Sequence, residues 1–261
     1  MLQGDGVLGV TTLDNLIFVL RLKASEQIAV YDCGSCRLQR KISVPFGFDI
    51  VACPYYRCLY LSGFSDKCVY RVALPNDDVT KWPVNDTPSR LSVTDTHSVL
   101  VTCDAVRKIK EFRTDGKLLR QILLAEDVVS PLNTIQLSSG EFIVSHGDRN
   151  DPLHRVCLIG SDGRVVKSYG GPKGSGTQQM NVPAHLAVDR NGFVFVADSV
   201  NQRVLLLSPA LTFVREALSR EELKWMPRRL WYDSGRRRLY VAVGEWKDHK
   251  FTRGQVVVIG V

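Results

Sequence analysis

PAHLAVDRNGFVFVADSVNQRVLLLSPALTFVREAL, residues Pro183 to Leu218, reads as four consecutive β-strands. HLAVD (185–189) is the first and FVFVAD (193–198) the second, with Asn191-Gly192 between them. Asn-Gly between two apolar runs is a strong hairpin signal, because both residues tolerate the positive φ that the tight turn demands. RVLLLS (203–208) is the third strand and TFVREAL (212–218) the fourth.

Five other segments fit this template. Third strands recur as QIAVYD from Gln27, KCVYRV from Lys67, KIKEFR from Lys108, RVCLIG from Arg155 and QVVVIG from Gln255. Second strands recur as LIFVL, CLYLS, VLVTC, EFIVS and RLYVA, and fourth strands as LQRKIS, VTKWPV, LLRQILL and VVKSYG. Pro45, Pro88, Pro131, Pro183 and Pro227 open successive units, at steps of 43, 43, 52 and 44 residues. A four-strand meander cannot bury both faces alone, whereas radial packing around an axis buries them and protects most edges. The reading is an all-β, six-bladed β-propeller of four-stranded antiparallel blades, one domain over 1–261. The expected blades are 1–44, 45–87, 88–130, 131–182, 183–226 and 227–261. The sixth unit stops after its third strand and no segment of this sequence is left to complete it, so the expectation is either a three-stranded last blade with an exposed edge or a longer natural chain that supplies the fourth strand. Helix is expected to be minimal, with Ser219–Trp225 the best short candidate because SREEL has the form of a capping box.

Composition agrees with a soluble globular chain: 261 residues, 44% hydrophobic and 23% charged. No apolar run approaches the roughly 20 residues of a membrane helix, and MLQGDGVLGV lacks the basic and apolar regions of a signal peptide. Thirty-four Lys/Arg stand against 27 Asp/Glu, a net +7. Ten basic and five acidic residues fall in 220–261, so most of the excess lies in the last sixth of the chain. Seven cysteines, an odd number, point to reduced thiols and a cytoplasmic location.

The stretch YGGPKGSGTQQMNVPAHLAVDRNGFVFVADSVNQRVLLLS resembles an NHL repeat. The matching residues are Gly170, Gly171, Gly174, Gly176, Pro183, Asp189, Gly192, Asp198, Asn201 and Arg203. The match is specific over about 40 residues; the other units share only the strand pattern, with Pro88 and Asp104 kept in the third and Pro131, Gly140 and Asp162-Gly163 in the fourth. The resemblance implies a six-bladed propeller of the kind found C-terminally in tripartite-motif proteins, where it recruits substrates for ubiquitin ligation, and in some members binds RNA. Related propellers include lyases and lactonases. No RING, B-box or coiled coil is present in this sequence, so ligase activity is not expected of this chain itself.

Two constellations are candidates for a binding face. Two residues after each repeat proline stand Gly47, Arg90, Asn133, His185 and Arg229, with Val7 aligned in the first unit. They are expected to form a polar, partly cationic mouth to the central channel, which focuses anionic ligands. The connections between second and third strands are expected on the same face. The last of these carries Trp246, Lys247, His249, Lys250, Phe251 and Arg253. Aromatic and basic residues interleaved suit single-stranded nucleic acid, where bases stack and phosphates pair, and equally an acidic peptide. A protein partner is the expected ligand, with RNA the alternative and neither a membrane nor a small-molecule cofactor implied.

Other motifs carry less. Asp198 and Arg203 read as a turn-fixing pair. GGPKGSGT lacks the G-x-x-x-x-G-K-[ST] spacing of a P-loop. Cys33-Gly-Ser-Cys36 has no second pair to complete a zinc site and falls at a hairpin turn. Cys58 and Cys68 are expected on neighbouring strands and close together. Arg236-Arg237-Arg238 is expected at a turn on the opposite face. Five histidines give no H-x-x-x-H pair and no G-x-S-x-G elbow is present, so catalysis and metal binding are not expected.

Overall fold

The structure, a computed structural model, describes residues 2–22, 27–247 and 250–261. Twenty-four strands among these residues form six four-stranded antiparallel sheets. The first blade is Val7–Leu13, Leu16–Arg21, Ile28–Asp32 and Leu38–Ile42; the second is Ile50–Cys53, Cys58–Gly63, Cys68–Ala73 and Asp78–Pro83. The third and fourth begin with inner strands Arg90–Val93 and Pro131–Gln136, the fifth with Pro183–Val188. The sixth runs from the inner strand Met226–Asp233 through Arg238–Lys247 to Lys250–Gly260.

The sixth unit supplies three strands of its own, and its fourth comes from the opposite end of the chain. Leu2–Asp5 pairs antiparallel with Lys250–Gly260, Leu2 opposite Val256 and Asp5 opposite Arg253. This corrects the expectation of an open edge: residues 2–5 had no place in the repeat because they precede the first inner strand. The ring is thereby closed by strand pairing between the two ends of the chain. The close approach explains Gly254, where a Cβ would run into the backbone nitrogen of Val7.

The core lies in six apolar clusters, each in a seam between neighbouring blades. Phe18, Leu20 and Ile28 of the first blade pack against Ile50, Leu59 and Leu61 of the second. Tyr240, Ala242 and Val256 of the sixth pack against Val10, Ile17 and Val19 of the first. Second strands such as Val99–Cys103 and Val194–Asp198 are fully buried because both faces meet a neighbouring blade. Outer strands are exposed except near one end, where Ile42, Trp82 and Ile122 turn inward.

Helix is confined to one turn of 3-10 helix at Asp104–Val106 and four α-helical residues, Arg220–Leu223, among the described residues. The latter has the expected capping box, the Ser219 N–H donating to Glu222 at 2.8 Å. No helix among these residues is long and apolar enough to cross a membrane. Cys33–Cys36 lies at a hairpin turn, where Asp32 Oδ1 accepts from the Ser35 N–H at 2.7 Å. Cys58 does not sit beside Cys68: it opposes Cys53 on one side and Ala73 on the other, while Cys68 pairs with Gly63 at the far end of the strand.

Candidate functional site

Each inner strand runs from the face carrying the second-to-third strand connections toward the opposite face. The start of each strand therefore rims one end of the channel and its last residues rim the other. On the loop face the mouth is a hollow of about 380 Å³ bordered by Phe48, Phe64, Arg90, Asp104, Asp148 and Arg228, with Arg149 also on its wall. The Arg90 guanidinium lies 4.4 Å from the centre of the Phe48 ring, and Phe48 and Phe64 meet with their centres 5.7 Å apart. Phe64 and the nearby Phe46 are 42% and 45% exposed, so the cluster offers apolar surface to a ligand. An arginine over an aromatic face gains cation–π attraction while keeping donors available.

Charge alternates around this mouth. Burial pushes the Arg90 guanidinium down to about 10, and Asp104 and Asp148 oppose that shift. Burial, with Arg90 and Arg149 close by, lowers Arg228 to about 9. Both remain cationic at neutral pH. The mouth thus presents two carboxylates among three guanidiniums rather than a uniformly basic surface.

The residues expected to ring the mouth divide between two levels. Arg90 reaches it. Asn133, His185 and Arg229 lie deeper and are buried in the channel. Asn133 Oδ1 accepts from the Leu186 N–H at 3.0 Å, and His185 Nδ1 from the Leu230 N–H at 3.3 Å, so each holds the inner strand of the next blade. Asp49 does the same for Leu91, at 2.7 Å. Asp49, not Gly47, therefore occupies the ring position of the second blade; there the step from the repeat proline is four residues rather than two. In the first blade the position is Gly9. Val7 instead matches the proline: a bulge separates Val7 from Gly9 as it separates Pro131 from Asn133. Arg229 pairs with Asp49 and donates to the Ile50 carbonyl at 3.1 Å. Burial works against the Arg229 charge, and the Asp49 carboxylate is paired with it.

The extended hairpin of the sixth blade also belongs to the loop face. Its register sets Trp246 opposite Phe251 and Lys247 opposite Lys250. Lys247 and Arg253 are exposed, and Thr252 donates to Glu245 at 2.8 Å. His249 lies outside the described residues.

The motif residues of the fifth blade are structural, as expected. Asp198 accepts from the Asn181 N–H at 2.7 Å, and from Asn201 and Arg203 at 2.8 Å each. Arg203 carries this clamp on to the Gln179 carbonyl at 2.9 Å. At the same register of the fourth blade stand His146 and Arg155, the guanidinium donating to His146 Nε2 at 3.1 Å. The run Arg236–Arg238 is at the first turn of the sixth blade, on the opposite face. Arg236 is not simply solvated there; it bridges Asp233 at 2.9 Å and the Asp14 carbonyl of the first blade at 2.6 Å.

The second-to-third strand connections carrying Phe64, Asp104 and Asp148 lie on the expected face, whereas Phe48 and Arg228 were not foreseen there. Aligning the first apolar strands, rather than the prolines, would have exposed Asp49. Among the described residues no three His, Cys, Asp or Glu side chains converge as a metal-binding group.

No family model matches the chain, and no curated protein matches it. Solved structures do. Kuenenia stuttgartiensis hydrazine synthase aligns over 98% of this chain and 96% of its own, with a TM-score of 0.68 and 12% identity. A virginiamycin B lyase from Staphylococcus aureus aligns over 99% and 87%, with 0.65 and 10%. A streptogramin B lyase aligns over 99% and 87%, with 0.66 and 11%. At these identities the likeness is one of fold: the chain is a β-propeller of the same six-bladed build.

Proposed function

We propose that the chain is a non-enzymatic recognition module that captures a protein partner on its loop face, as the substrate-recruiting domain of a tripartite-motif-like ubiquitin ligase. The observation that supports this is the cluster of Phe48, Phe64 and Arg90 at a mouth of alternating charge. Aromatic and arginine anchors in a partly desolvated hollow are the residues that dominate protein interfaces. Loops held by a rigid β scaffold suit such recognition. The NHL-like residues 169–208 favour the same reading, since their Asp198 clamp stiffens one wall of that face.

RNA is the second reading, favoured by the exposed Lys247 and Arg253 and by the net +5 of residues 220–261. Two of the structures of similar fold are lyases; here the charged groups of the mouth are two carboxylates amid guanidiniums.

The test compares wild type, Phe64→Ala/Arg90→Glu and a control, Arg237→Ala on the opposite face. Quantitative affinity capture from cell extract should show a protein lost from the double variant and retained by the control. Binding to a single-stranded RNA pool, measured at two salt concentrations, should be weak. A steep salt dependence, near −0.7 per neutralised phosphate, that vanishes in Lys247→Ala/Arg253→Ala overturns the protein reading in favour of RNA.

A further inference from the structure

Below the ring of Asn133, His185 and Arg229 the channel holds a second cavity of about 200 Å³, open toward the face opposite the loops. Its walls are apolar, with Leu91, Leu186 and Leu230 inside and half-buried Ile135, Val188 and Trp231 nearer the rim. Its floor is polar, and there several buried atoms have no protein partner: Asn133 Nδ2, His185 Nε2, and Nε and Nη1 of Arg229.

All of these atoms are donors. Asn133 Oδ1 is committed to the Leu186 N–H, which fixes the amide with its NH2 turned away from that bond. His185 Nδ1 accepts from the Leu230 N–H, so the proton of the neutral ring sits on Nε2. Burial holds that ring neutral. A guanidinium only donates. Asp49 is the one carboxylate beside the floor. Its oxygens are taken, by Arg229 and the Ile50 N–H on one side and the Leu91 N–H on the other. An unmade buried hydrogen bond costs about 1–3 kcal/mol, so donors converging from three blades call for an acceptor.

We propose that this cavity binds a small apolar carboxylate, its head group received by Asn133, His185 and Arg229 and its body lying against the apolar walls. Two carboxylate oxygens offer about four lone-pair sites, which suits such a donor-only floor. An apolar cavity of roughly 150 Å³ holds a benzene, so this one accommodates a single ring carrying a short acid. The site is independent of the loop-face reading, because it opens on the other side of the ring.

Phenylacetate and its neutral isostere phenylacetamide are the probes, titrated calorimetrically into the full chain. Phenylacetate should bind saturably at one site, at least tenfold more tightly than phenylacetamide. Asn133→Asp keeps the acceptor for Leu186 but replaces the donor by a negative charge, and should weaken phenylacetate at least tenfold. Val188→Trp fills the cavity from its half-buried rim without touching the ring, and should abolish binding with the melting temperature preserved; it carries the test if Asn133→Asp does not fold. Phe64→Ala should leave phenylacetate binding unchanged, which separates this site from the partner surface. The proposal is overturned if neither probe binds, so that the donors are merely hydrated, if acid and amide bind alike, or if Val188→Trp binds as wild type does.

Discussion

Arg229, on the inner strand of the sixth blade, forms an ion pair with Asp49, the residue before the inner strand of the second, and Gly9 of the first blade lies beside Arg229 and Ile50. The pair ties two blades that are not neighbours. It is buried, with Arg229 only 2% exposed, so its members depend on each other far more than a surface pair does.

Asp49→Asn leaves the buried Arg229 charge uncompensated and should cost about 3–5 kcal/mol, the range for breaking a buried pair from one side. Arg229→Met in that background should recover part of the loss. Urea unfolding of the four proteins of this cycle measures the coupling, and additive single effects would contradict a coupled pair.

Gly9→Val should destabilise by about 1–3 kcal/mol, as overpacking does. A Cβ there stands 2.7 Å from Ile50 Cγ2 and 3.7 Å from Arg229 Nε. Gly260→Ala, whose Cβ meets nothing within 4 Å, is the control and should stay within about 0.5 kcal/mol of wild type.

His146 should make stability fall in mild acid. Burial first, then the Arg155 cation, pushes its pKa from 6.5 down to about 4. The unfolded chain therefore takes up a proton that the folded chain refuses. Stability from this group is complete above about 6.5 and is lost as pH falls through the window to about 4. At 1.36 kcal/mol per unit the loss is of order 3 kcal/mol. His146→Asn should flatten the difference between unfolding midpoints at pH 7.5 and 4.5. An unchanged slope would show that other groups set it.

Removing residues 1–5 should expose the edge of Lys250–Gly260 and lower the melting temperature by roughly 5–10 °C, taking about 2–4 °C per kcal/mol for a domain of this size. Light scattering should show self-association, since an unpaired strand edge recruits another chain. A monomer of unchanged stability would deny the closing strand its role.

The repeat was legible because its signals are local: alternation, the Asn191-Gly192 turn and prolines at nearly constant steps. Each second and third strand found in the sequence pairs in the structure. The capping box at Ser219 was legible for the same reason. Leu2–Asp5 was not, because a strand completing a distant sheet carries no periodicity of its own. Nor was Asp49, whose displacement from Pro45 reflects a longer approach to the channel; only the register shows that it shares a level with Asn133 and His185. The level of Arg229 was equally hidden, since exposure and burial at one end of an inner strand differ by a single residue: Arg228 is half-buried at the mouth and Arg229 is enclosed.

The pairing of Leu2 with Val256 sets an order of events during synthesis. Of the described strands Leu2–Asp5 is made before all the others and is the last to find its neighbour, because five complete blades and most of a sixth lie between it and Lys250–Gly260. Until Lys250–Gly260 appears these blades form an open arc, and they become a ring only when that strand pairs with Leu2–Asp5.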